Sequence, residues 1–189
     1  MPSKLVPTSL LQLRIELKNA SPAIWRVVLV PDTLTLVQLH RVIQETMGWY
    51  NCHLHEFDIA GIRYGTPDPD WGDDLGMVNE ARKRLLNVLH GRRKFEYLYD
   101  FGDSWLHQVT VEDQLPMLKT QRYATCLQGE NRCPPEDVGG VHGYFEFLEA
   151  IHDPSHEEHE SVKEWWGGEF DPREFDAVAT NTRLRQLML

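Results

Sequence analysis

The chain has 189 residues, is 41% hydrophobic and 25% charged, and carries a formal net charge of −10. That length favours one domain, spanning 1–189, with a core that needs no disulfide or metal staples. No run approaches the roughly 18 apolar residues of a membrane span, the start MPSKLVPTSL has no apolar signal stretch, and three irregularly spaced cysteines make no secreted disulfide framework, so the reading is a soluble cytoplasmic protein.

The first element, LLQLRIELK, alternates: Leu11, Leu13, Ile15 and Leu17 point one way, and Gln12, Arg14 and Glu16 the other. That is a half-buried strand. A turn at Ser21-Pro22 leads into a second apolar strand, SPAIWRVVLVP, and the pair reads as a hairpin. TLVQLHRVIQETMGW is a helix with Leu36, Leu39, Ile43 and Met47 at helical spacing; Thr35 and Gln38 form a capping box, and Gly48 is its stop. HLHEFDIAGIRYG predicts a second hairpin turning at Ala60-Gly61. Residues 66–80, rich in Pro, Gly and Asp, predict a long loop anchored by Trp71.

RLLNVLHG predicts a short helix, and KFEYLYDFGDSWLHQVTVED a third hairpin with its turn at Asp100–Asp103. Then comes CLQGENRCPPEDVGG, residues 126–140, which holds no long helix and no central strand. Pro134-Pro135 stiffens it, Glu136 and Asp137 offer carboxylates to backbone donors, and Gly139-Gly140 turns the chain into GYFEFLEAIHD, a helix with Tyr144, Phe147, Leu148 and Ile151 inward. An acidic helix, HEEHESVKEWWGG, and one or two short helices close the chain. The predicted fold is α+β: a mixed or antiparallel sheet built from hairpins, a helix after the second strand, and a helical C-terminal third.

Charge is uneven. Residues 130–176 contain fourteen acids and three bases, a balance of −11, which leaves +1 for the rest. Such a surface repels phosphate backbones, so a protein or peptide partner fits better than nucleic acid.

Four constellations offer chemistry. His53 and His55 lie two apart, and with His107 and a carboxylate such as Asp103 they fit a zinc or other divalent-metal site with an open position. Cys126 and Cys133 are further candidate ligands for a structural zinc, or a nucleophile if a histidine activates one. Asp100, Asp103, Glu136 and Asp137 converging with His107 would suit acid–base work, although Asp and Gly in DFGD are also what a tight turn requires. Finally, Trp25, Trp49, Trp71, Trp105, Trp165 and Trp166, with Tyr97, Tyr99 and Tyr144, suit an aromatic groove. The candidate binding residues are therefore Tyr99, Asp100, Asp103, Trp105, Glu136, Asp137 and Tyr144. No serine-hydrolase elbow, phosphate-binding glycine loop or dinucleotide fingerprint is present, and DFG lacks the other kinase motifs.

Seven short motifs in order carry a resemblance: IWR at 24–26, MGW at 47–49, HLHEF at 53–57, YDFGDSWLH at 99–107, CPPEDVGG at 133–140, GY at 143–144 and FDP at 170–172. From about residue 10 to 185 the chain resembles the plasmid pRiA ORF-three-like family. The resemblance implies a compact α+β domain, found on chromosomes, plasmids and mobile elements, with no established enzyme activity. Some members are labelled resolvase-like, but a serine resolvase needs an activated Ser among arginines and a basic tail, and this C-terminal third is acidic. The sequence reading favours a non-catalytic binding or accessory module for a protein or peptide; its alternative is a metal-dependent hydrolase, such as a nuclease, with a His/carboxylate site.

Overall fold

The computed structural model describes residues 6–66, 76–117 and 123–187. The alternating pattern becomes strand β1 (Ser9–Leu17), whose Leu11, Leu13, Ile15 and Leu17 are buried while Gln12, Arg14 and Glu16 are half-buried. It pairs antiparallel with β2 (Ile24–Pro31). Helix α1 (Leu36–Met47) follows. Its capping box forms as expected, with Gln38 N–H donating to the Thr35 side chain and Gln38 reaching back to the Thr35 amide, and Gly48 stops it in the left-handed region.

The second hairpin is β3 (His55–Ile59) and β4 (Ile62–Gly65). Trp71 lies outside the described residues. The end of the 66–80 segment forms a two-residue strand, β5 (Val78–Asn79), parallel to β4. After the short α2 (Leu85–Leu89), the third hairpin is β6 (Lys94–Tyr99) and β7 (Trp105–Pro116).

A second strand, besides β5, escaped the sequence reading. Thr125–Glu130, the opening of the Cys-Pro-Pro stretch, is β8, an edge strand on β2 with a register shift between Val27 and Val28. It shows no clean alternation, and pairing with the free edge of β2 makes it a strand. Its outer side is covered by α5 (Ala177–Leu184), where Asn181 accepts the Cys126 N–H at 2.8 Å and donates to the Cys126 carbonyl at 2.9 Å. An otherwise bare edge is thereby satisfied. Between them come α3 (Gly140–His152) and α4 (His159–Trp166).

Among the described residues the fold is α+β with a mixed eight-stranded sheet in the order β5-β4-β3-β6-β7-β1-β2-β8. The inward side chains of the sheet share one core with Leu36, Leu39, Ile43 and Met47 of α1 and with Tyr144, Phe147 and Ile151 of α3. The opposite sheet face is polar: Gln12 bonds Glu112, and Arg14 stacks on Trp25 at 4.1 Å. No helix among the described residues is long and apolar enough to cross a membrane.

Candidate functional site

The Cys-Pro-Pro loop is where the chain's distant segments meet. Beneath it lies Arg26, 2% exposed, whose guanidinium donates to the carbonyls of Thr46, Trp25, Glu130 and Asn131 at 2.8–2.9 Å. The Trp49 indole donates to the Pro134 carbonyl at 3.0 Å. Tyr99 donates to Glu136 Oε1 at 2.5 Å, and the Tyr50 amide donates to Oε2 at 3.1 Å. Gly139 N–H donates to Asp103 Oδ2 at 3.2 Å, and Arg132 N–H to the Pro172 carbonyl at 2.9 Å. Gly143 lies so close to the Val138 carbonyl that an added Cβ would collide with it, and Gly140, at φ 69°, meets the Asp103 backbone. The other six motifs each touch this loop, HLHEF through His53 and Asp137.

The loop delivers Asp137 to His53. His53 Nε2 lies 3.1 Å from Asp137 Oδ1 and 3.6 Å from Asp100 Oδ2, and the three donor atoms lie within 4.8 Å of one another. Three separate segments supply them. His53 precedes β3, Asp100 follows β6, and the antiparallel register that sets His55 opposite Tyr99 brings those two strand ends together. Asp100 holds φ 58° and accepts the Gly102 N–H on Oδ1 at 2.9 Å, so the turn role expected of DFGD is met by one oxygen while the other faces His53. His53 Nε2 is buried, and no hydrogen bond of good geometry satisfies it among the described residues.

The exposure is graded. The Asp100 side chain is 10% exposed, His53 27% and Asp137 71%, so the cluster opens to solvent at Asp137. Tyr99 borders it: its oxygen accepts the Cys52 amide at 3.0 Å, and burial, reinforced by its bond to Glu136, pushes the phenol above its ordinary range. Tyr99 is therefore a neutral donor that holds Glu136 and the loop.

Several expected groupings are corrected. His53, His55 and His107 do not share a point. His55 Nε2 lies 3.0 Å from buried Glu80, with its ring stacked 3.5 Å from that of His40. His107 is fully buried, with Nδ1 3.3 Å from the Tyr97 carbonyl, and burial lowers it to about 4. Asp100 and Asp137 converge on His53 rather than His107, while Glu136 turns to Tyr99 and Asp103 to the Gly139 amide. Neither cysteine joins a metal-ligating group among the described residues. The Cys133 thiol packs 3.2 Å from Met47 Sδ and burial pushes it up to about 11; burial also raises the Cys126 thiol, so neither is an activated nucleophile. Trp105 and Tyr144 are fully buried core residues rather than a partner-facing groove; Trp165, 53% exposed, faces solvent.

The description "Plasmid pRiA4b ORF-3-like protein" belongs to a family model that matches residues 9–179. The chain belongs to this family. The chain is 41% identical over 175 residues to "Uncharacterized protein y4hQ" of Sinorhizobium fredii, across 92% of this chain and 87% of that protein. Among solved structures it is similar to the protein of unknown function MM3350 from Methanosarcina mazei Go1, with a TM-score of 0.80 and 34% identity over 92% of this chain and 98% of that one. The solved neighbour shares the α+β fold, and neither description names an activity.

Proposed function

We propose that this domain is a metal-dependent protein whose centre is His53, Asp100 and Asp137. The carrying observation is the spacing of the donor atoms. Ligands at about 2.0–2.2 Å from a tetrahedral ion sit roughly 3.3–3.6 Å apart; the separations from His53 are 3.6 Å to Asp100, within that range, and 3.1 Å to Asp137, slightly below it. One imidazole and two carboxylates suit zinc or another borderline divalent ion. Three protein ligands would leave a fourth position open to water, and a bound divalent ion would supply hydrolytic chemistry there. Asp137, on the exposed side, marks the entry. The acidic run from Glu130 to Asp176 disfavours polyanionic substrates, so a nuclease is the poorer form of this reading and a neutral or cationic substrate the better one.

The test is metal content on tag-free protein by mass spectrometry, followed by zinc titration of the chelated protein and of His53→Ala. Near-stoichiometric metal, lost in the variant, supports the centre. A chelated protein that takes up no zinc, manganese or cobalt sinks it, and leaves the cluster as a fastening between loop and turn.

Peptide engagement, the other reading, rests on a separate observation. A cleft of 320 Å³ beside the loop is walled by Trp49, Tyr50, Pro135, Trp166 and Phe175. Tyr50 is 82% exposed there.

A further inference from the structure

Beyond Asp137, between α3 and α4, the surface carries a recess of 220 Å³ lined by Asp137, Glu146, Phe147, Glu158, Val162 and Trp165. Pockets for drug-sized ligands run from about 300 to 1,000 Å³, so this one suits a single side chain. Its wall is aromatic: the half-exposed Trp165 indole stands edge-on to Phe147, with ring centroids 5.9 Å apart. Its rim is acidic, with Glu146 65% and Asp137 71% exposed.

The recess lacks a strong counter-ion. Nearby bases are committed elsewhere: Lys163 pairs with Glu169 at 2.7 Å, and Arg132 with Glu174. Among the described residues no Lys or Arg forms an ion pair with Asp137, Glu146 or Glu158; only His53 and His142 approach the first two. An indole beside carboxylates that have no Lys or Arg partner attracts a cation by two effects, quadrupole and charge.

We infer that this recess receives an arginine or lysine side chain of a protein partner, with Trp165 stacking on the cation and Glu146 and Glu158 flanking it. The inference stands without a metal, since neither glutamate is a ligand of the proposed centre.

The test is a titration of the ¹⁵N-labelled full chain with acetyl-(Gly-Arg)₄-amide, following the Trp165 indole resonance, assigned by its absence in Trp165→Phe. The matched citrulline peptide, equal in shape but uncharged, is the control. The expected result is a saturable Trp165 shift with the arginine peptide alone, weakened about tenfold or more in the Glu146→Gln/Glu158→Gln variant. These exposed substitutions leave the core intact, which the unchanged remaining spectrum verifies. No Trp165 shift, an equal shift with citrulline, or an undiminished affinity in the double variant each overturns the inference. Repeating the titration with chelator separates the two sites: binding that persists belongs to the recess, and binding that vanishes belongs to the metal centre and overturns the recess.

Discussion

The phenol of Tyr99, at the end of β6, donates to Glu136 Oε1 at 2.5 Å, although 37 residues separate them. This bond clamps the Cys-Pro-Pro loop to the sheet, and Asp137, the next residue, faces His53 as a result. Tyr99→Phe keeps the buried ring and removes only the clamp. It is expected to cost about 1–2 kcal/mol, a fall of roughly 2–8 °C in Tm, and to weaken zinc binding by loosening Asp137. Thermal melts with and without zinc check both. An unchanged melt would mean that the loop is held without the phenol.

Asp100→Asn separates fold from ligation. Asn tolerates the positive φ of 58° at this position and keeps an oxygen for the Gly102 N–H. The metal-free protein is therefore expected to melt close to the native one. Zinc affinity is expected to fall about 100-fold or more, since even residues behind a ligand are worth roughly 10–100-fold. Competition against a zinc indicator measures it, and equal affinity in the variant would remove Asp100 from the centre.

Arg26 is a buried cation compensated by carbonyl dipoles rather than by a carboxylate. Arg26→Lys retains the charge but cannot reproduce a planar fork that reaches Thr46, Glu130 and Asn131 together. The loss is expected at about 2–4 kcal/mol, from carbonyls left unsatisfied. Urea denaturation reads it. A loss under half of the lower figure would show that water replaces the fork.

Acid should weaken the fold well above the carboxylate range. Burial, and then the adjacent His55 ring, lowers His40 to about 3, and burial lowers His107 to about 4. Both are neutral when folded, while the unfolded chain takes up protons near the ordinary 6.5. Their contribution is therefore whole above that value and is lost as pH falls toward 4 and then 3. Between about pH 6 and 4.5 unfolding should take up close to two protons from these groups, a slope of about 2–3 kcal/mol per pH unit. Urea midpoints across that window test it; half the slope would mean that one ring is already protonated in the native state, and a flat profile that both are.

The sequence by itself determined the local elements. Alternation in LLQLRIELK, the Thr35/Gln38 capping box and the Ala60-Gly61 turn each depend on residues within a few positions, so three hairpins, α1 and the helical C-terminal third were legible. Seven ordered motifs were legible too, and with them the family. The tertiary structure alone decided where the motifs meet. A spacing of two would put His53 and His55 on one face of a strand, but β3 starts at His55, so parity says nothing about His53. His55 turned to Glu80, and His53 to Asp100 and Asp137. Strand β8 exists because β2 offered it an edge, and Asp137 reaches the cluster because Tyr99 and Trp49 pin its loop. Periodicity records which way a side chain points along its own element. Which distant side chains share a point follows from sheet order and register, and those are set by packing of the whole chain.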